Sequence, residues 1–296
     1  MKTLLYLSVM YLVWGSTYLA MRIGVMHGSG FPPFALGATR LLVAGPILLL
    51  FSKMRGHKIL ISKKDMFTAA VAGLLTWLTG HGLILWSEQY VDSGYAALVI
   101  GSSPIWVMMI DSFLDAKYPR LTAVFFILLG FIGVTFLVLP KMRSGVHSDI
   151  LSTILILVGT VSWAIGSIYQ RRRESKKISA LTRSAYQQFF AGIGFLIVSL
   201  LLGEPMPHPT TSAWLAWAYL LVFGSLIAFT VYVKALKELP MPVVMTYAYV
   251  NPVIAVILGG IVLSEKIEMM VVVGGFFIVA SVLGVIMEKR PQEKLA

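Results

Sequence analysis

Arg40 is the residue of this sequence most in need of a chemical explanation, because it is the one charged side chain inside the apolar run from Pro33 to Ser52. Its planar guanidinium suits two-point pairing with a carboxylate. The alternative is a structural partner, either backbone carbonyls freed from a helix or Glu88. His81 poses the same choice. It follows Trp77 by four residues, so both share one helical face. An imidazole there can donate to a carboxylate or titrate near neutrality, or it can bond an aromatic or hydroxyl neighbour. Aromatic and small polar residues recur at helical spacing nearby: Tyr11, Trp14 and Tyr18; Tyr95, Ser102, Ser103 and Trp106; Trp163 and Ser167; Tyr247 and Asn251. Aromatic faces with a few polar tips make a pocket for amphipathic ligands, and they also pack helices together. Pro104 and Pro252 each withhold a donor from the carbonyl four residues earlier, at Ile100 and Ala248. The resulting kinks serve either as hinges or as fixed bends.

Other chemistries are missing. The chain has no cysteine, which excludes disulfides, thiol catalysis and cysteine-ligated metals. His27, His57, His147 and His208 are scattered, so no histidine pair has metal-ligand spacing. No glycine-rich phosphate loop ends in Lys-Ser or Lys-Thr, and no run offers the clustered acids of a membrane-embedded hydrolase or transferase. No metal, no cofactor and no catalytic residue is expected.

The elements that position these residues follow from hydropathy. The chain of 296 residues is 58% hydrophobic and 12% charged, about half the charge of an ordinary soluble domain. Apolar runs of about twenty residues, each long enough to cross a ~30 Å hydrocarbon layer, predict spans at residues 3–25, 33–52, 66–87, 93–114, 121–139, 149–170, 180–202, 212–233, 242–263 and 268–288. The first reads on past Tyr18 and Met21 without a small-x-small cleavage site, as a spanning helix and not a signal peptide. His27–Pro33, Gly203–Pro207 and Leu239–Pro242 are breakers between runs. Trp86, Trp214 and Trp217 near run ends suit interfacial anchoring.

The net charge of +11 lies in the short connections and not on one soluble face, which argues against nucleic acid. With a cytoplasmic N-terminus, 19 of the 24 Lys and Arg residues fall on the cytoplasmic side, and Arg22, Lys141, Arg143 and Lys266 fall outside. Both termini are therefore expected in the cytoplasm. The block Arg171–Lys177 with Arg183 reads as an orientation signal beside anionic lipid.

The second half echoes the first at an offset of about 148–151 residues: Trp14-Gly15-Ser16 with Trp163-Ala164, Ser103-Pro104 with Asn251-Pro252, and Gly130–Gly133 with Ala280–Gly284. Five spans per half is an odd number, so the halves are inverted, with a site at their interface exposed alternately to each side. The predicted divisions are residues 1–145, residues 146–290 and a cytoplasmic tail at 291–296. Small residues at Gly130, Gly133, Gly274, Gly275 and Gly284 favour close scaffold contacts. They leave monomer or homodimer open.

Trp14-Gly15-Ser16, Arg40, Ser103-Pro104, Trp163-Ala164, Asn251-Pro252 and Leu263-Ser264-Glu265-Lys266, in that order over nearly the whole chain, resemble the drug/metabolite transporter superfamily and its ten-helix EamA-type exporters. The resemblance implies a basket in which spans one, three, four, six, eight and nine line a central cavity while five and ten support it. It also implies export of amino acids, related metabolites or drugs. The pattern departs at Leu114-Asp115-Ala116-Lys117, where Ala116 stands opposite Glu265. The four-helix multidrug branch is a weaker match, since Met10–Met21 contains no acid.

The expected architecture is an all-α integral membrane protein, ten helices in two inverted repeats around a central cavity, in a bacterial inner membrane. The expected work is export of small amphipathic metabolites, amino acids preferred. The expected cavity residues are Trp14, Tyr18, Arg40, Trp77, His81, Ser102, Ser103, Trp163, Tyr247 and Asn251, with Pro104 and Pro252 as hinges. The partners are a small-molecule substrate and membrane lipid. Proton coupling stays open, because Asp111 and Asp115 lie at the end of the fourth span. Export of drugs, nucleosides or sugars is the runner-up, ahead of an enzyme or an assembly protein.

Overall fold

A computed structural model describes residues 2–116, 121–143, 147–173, 178–265 and 269–288. Among these residues the structure is all-helical, and ten helical passages follow the ten apolar runs. They are α1 (Lys2–Val25), α2 (Pro33–Met54), α3 (Lys63–Ser87), α4 (Ser93–Leu114), α5 (Leu121–Arg143), α6 (His147–Arg172), α7 (Ala180–Leu201), α8 (Thr211–Glu238), α9 (Tyr247–Leu263) and α10 (Met269–Glu288). Seven hold stretches long and apolar enough to cross a membrane; α5, α9 and α10 carry shorter ones, Val124–Gly133, Val250–Leu263 and Met269–Ser281. The expected tail at 291–296 lies outside the described residues.

Helix starts obey local chemistry. Ser62, Ser179 and Thr210 are extended residues whose hydroxyls accept from Asp65, Thr182 and Ala213 backbone N–H groups, removing one orphan donor at each start. Two further starts are capped from a distance. Glu204, after α7, accepts from Phe34 N at 3.0 Å and Ala35 N at 2.7 Å. Glu265, after α9, accepts from Ser93 N at 2.9 Å and Gly94 N at 3.2 Å, with the Ser93 hydroxyl adding a third bond. Each carboxylate meets free N–H groups and the positive end of a helix dipole. The effect is to bolt α2 and α4 to segments more than 160 residues away.

Packing crosses between the chain's halves. α2 lies on α7, α5 on α10, α3 on α6 and α1 on α9. Small residues set these approaches. A Cβ at Gly133 would stand 2.8 Å from the Gly274 carbonyl, and one at Gly37 would stand 2.4 Å from the Phe195 ring. Where lipid supplies no hydrophobic drive between helices, such close backbone contact supplies the packing energy.

Glu204→Ala strands two helix-start donors and should cost about 1–3 kcal/mol. The thermal unfolding midpoint in detergent should fall. An unchanged midpoint would mean that the cap contributes nothing.

Candidate functional site

The site begins with two departures from α geometry. α3 widens to π spacing over Leu74–His81, and α8 does so over Leu220–Ala228. Such turns leave carbonyls badly placed for their own helix, and they collect at functional sites. Neighbouring helices supply the missing donors: Ser162 Oγ on α6 donates to the Leu75 carbonyl at 2.8 Å, and Gln188 Nε2 on α7 donates to the Ser225 carbonyl at 3.0 Å. Gly80 and Gly159 let α3 and α6 cross closely, since a Cβ at Gly159 would come within 2.6 Å of the Gly80 carbonyl. That crossing sets Thr160 and Trp163 against Trp77 and His81.

The result is a narrow central cavity of about 50 Å³, room for a few waters and no more. Trp14, Thr17 and Tyr18 of α1 line it together with Arg40 of α2 and Trp77, His81 and Ile84 of α3. Ile100 and Ser103 of α4, Thr160 and Trp163 of α6, Leu220 and Gly224 of α8 and Tyr247 of α9 complete the wall. Its floor is an aromatic box. Trp14 meets Trp163 edge-on at 5.7 Å, Tyr247 at 5.1 Å and Tyr232 at 4.9 Å between centroids. Trp77 meets His81 at 5.0 Å and Phe229 at 4.8 Å. Edge-to-face pairs of this kind stabilise by about 0.5–1.5 kcal/mol beyond their buried area.

Among the described residues, Arg40 is the one charged side chain lining this cavity. It is 2% exposed, its guanidinium carbon stands 4.8 Å from the Trp77 ring centre, and its Nε and Nη1 have no hydrogen-bond partner. The structural alternative of a Glu88 partner is not realised, because both Glu88 carboxylate oxygens are themselves unbonded. Trp77 Nε1 and His81 Nε2 are likewise buried without partners. Ser103 and Trp163 lie beside the Tyr247 hydroxyl. Polar atoms that could meet an anion therefore converge on one small space.

Eight of the ten expected cavity residues meet there: Trp14, Tyr18, Arg40, Trp77, His81, Ser103, Trp163 and Tyr247. Ser102 and Asn251 stand behind them. Ser102 donates to the Val99 carbonyl at 2.7 Å and accepts from Trp106 Nε1 at 3.2 Å. Asn251, with its amide turned to donate, reaches the Tyr247 and Tyr11 carbonyls at 3.1 and 3.2 Å, joining α9 to α1. Pro104 does not bend a continuous helix. α4 stops at Ile100 and restarts at Ser103, so Pro104 occupies a first helical turn, where its missing N–H costs nothing. Pro252 does sit inside α9.

Thr17, Ile84, Ile100, Thr160, Leu220 and Gly224 of the wall, and Phe229 and Tyr232 packed against it, were not foreseen. For Phe229 and Tyr232 the signal was in the repeat, since moving Trp77–Ile84 forward by about 148 residues lands on Ser225–Tyr232. Among the described residues no group of three His, Cys, Asp or Glu residues could hold a metal.

Comparison with known proteins agrees with this geometry. The profile of the EamA-like transporter family matches residues 1–139 and 150–287. The inner membrane transporter YedA of Escherichia coli K12 is 36% identical over 255 residues, covering 86% of this chain and 80% of that one. The transporter YoaV of Bacillus subtilis is 23% identical, with 94% of each chain covered. A solved crystal structure 20% identical in sequence superposes with a TM-score of 0.70 over 98% of both chains, which shows the fold alone.

Arg40→Met exchanges an unpaired buried cation for an apolar chain of similar length. Without ligand the variant should be more stable, by about 1–4 kcal/mol, as when buried charges elsewhere are replaced by packed apolar groups. A higher unfolding midpoint is expected. A lower one would mean that the guanidinium supports the fold.

Proposed function

Since the chain belongs to the EamA-like transporter family and is a membrane transporter of the drug/metabolite type, we propose that it exports small amphipathic metabolites, amino acids or their relatives preferred, across a bacterial inner membrane by alternating access. The observation that carries this reading is the unpartnered Arg40 guanidinium in an aromatic cavity. A buried cation costs at least about 2.5 kcal/mol in a membrane unless paired or hydrated. A substrate carboxylate removes that cost through a bidentate pair. Trp77 Nε1 and His81 Nε2 donate to the same group. The aromatic box takes the apolar remainder, and its faces attract an ammonium group.

Aromatic walls alone would suit a nucleoside or a neutral drug as well. The guanidinium selects the carboxylate. Ser102 and Asn251 hold the layer behind the site, and the break at Gly101–Ser102 and the bend at Pro252 are the flexing points. Catalysis plays no part in this reading.

Movement follows from the closed ends. At the Lys2 end, Tyr6 donates to Glu238 at 2.9 Å, the Tyr11 and Thr246 hydroxyls lie 2.6 Å apart, and Arg172 pairs with Asp111 and Asp115 at 2.9 and 2.6 Å. At the opposite end, Arg22 donates to the Glu88 carbonyl, and Glu265 clasps α4. A metabolite larger than a few waters enters only when one set parts. Two inverted halves, residues 1–145 and 146–290, with both termini in the cytoplasm, provide two such gates around one site. The cation distribution and the matched π turns of α3 and α8 support this arrangement.

The test is counterflow in proteoliposomes preloaded in separate batches with each common amino acid and with nucleosides. Labelled amino acid should accumulate. Arg40→Ala should weaken apparent affinity about 10- to 100-fold, the loss of one charge-assisted bidentate contact, and Trp163→Ala should abolish accumulation in normally inserted protein. Nucleoside accumulation indifferent to Arg40 would replace the carboxylate reading.

A further inference from the structure

Glu88 is a buried acid that the substrate site does not use. It caps the end of α3, is 0% exposed, and has no hydrogen-bond partner on either carboxylate oxygen. Its position is distinctive. One turn earlier, Ile84 faces the central cavity, whereas the flanking Trp86, Gln89 and Tyr90 face a second, open vestibule of about 460 Å³ at the Arg22 end. Glu88 thus stands in the wall between the two spaces.

Among the described residues its surroundings carry few charges. From α1 come Arg22, whose guanidinium donates to the Glu88 backbone carbonyl, and Tyr18, which lines the cavity and lies within electrostatic reach of the acid. From the segment after α9 comes Glu265, already committed to three donors of α4. From α6, among the described side chains, come the neutral Ser152, whose carbonyl accepts from Ser87, and Thr153, bonded to Tyr95. α2 meets the same stretch of α3 through Phe34, beside Gly82. His27 lies in the vestibule, edge-on to Tyr90 at 5.5 Å. Among the described residues, the one cation in reach of the carboxyl, Arg22, spends its hydrogen bond on the backbone instead.

We propose that Glu88 is a proton-binding site that couples opening of this wall to release of a proton into the vestibule. In the closed structure the carboxyl is neutral. Burial pushes it well above the usual carboxylate range; Arg22 opposes this and Glu265 adds to it. When the wall parts, water reaches the acid, its O–H proton passes to vestibule water, and the carboxylate left behind pairs with Arg22. The sign follows from linkage: the closed state binds the proton more tightly, so low pH favours closure and rising pH favours opening. The cation distribution places this vestibule on the outer face, so external acidity would hold that gate shut. The proposal does not depend on what the cavity carries.

Two readouts test it without a substrate. In lipid nanodiscs at neutral pH, infrared spectra should show a protonated carboxylic carbonyl band that Glu88→Gln removes. Because the chain has no cysteine, Ile84→Cys can be labelled from the vestibule by a membrane-impermeant maleimide, with Met206→Cys, at an exposed site, correcting for thiol ionisation. The corrected rate should rise about tenfold for each pH unit between the open-state pKa and the higher closed-state pKa, and level off above the latter. Adding Glu88→Gln should leave it low and flat, and Glu88→Asp should restore a pH dependence. Absence of the band, a flat rate with Glu88 present, or a slope that survives Glu88→Gln would each overturn the proposal.

Discussion

The structure depends on one unmet charge. Arg40 sits among tryptophans, with two of its nitrogens facing no partner, in a setting where a cation is costly. Everything around it avoids supplying a counter-charge. Glu88 points elsewhere, Glu204 and Glu265 are occupied with helix starts, and Asp111 and Asp115 hold Arg172 at the far end. Those carboxylates stabilise the bundle by tying down backbone and surface groups. Arg40 therefore stays available, and the bundle bears the strain of keeping it so. Stability given up at a binding site is a common bargain in proteins whose ligand completes the structure.

Geometry explains why the cavity is small and its helices irregular. Regular α turns in α3 and α8 would satisfy their own carbonyls and need nothing from α6 and α7. The π turns instead take Ser162 of α6 and Gln188 of α7 as donors, which links the cavity wall within itself and to the helix behind it. A wall held partly by side-chain bonds can change shape at lower cost than one held by its own helix ladder. The break before Ser103 has the same quality, because a helix that stops and restarts has no ladder to rupture there.

Much of this was legible in the sequence. The ten runs were set by hydropathy, since a bilayer permits few other solutions for segments so apolar. Arg40 and His81 stood out because polar groups are rare in such runs, and Trp14, Trp163 and Tyr247 because the two halves repeat them. What escaped had no compositional mark. Leu220 and Gly224 look like any apolar helix, and the widened turn carries them to the cavity. Glu88 sits at a helix end, where an acid ordinarily meets water; its charged neighbours Arg22 and Glu265 come from distant parts of the chain, which no local pattern encodes. Ser102 adjoins Ser103 and Asn251 shares a face with Tyr247, but Ser102 bonds the Val99 carbonyl and the Trp106 indole, and Asn251 reaches backbone carbonyls.

The most direct measurement titrates each amino acid against its carboxamide, following the intrinsic fluorescence of the cavity tryptophans in purified protein. The two ligands differ in one negative charge and little else. Binding of an acid, with its amide at least about tenfold weaker, and loss of that preference in Arg40→Met, are the results expected if a charge-assisted pair holds the ligand. Equal binding of acid and amide would show that the guanidinium does not read the carboxylate.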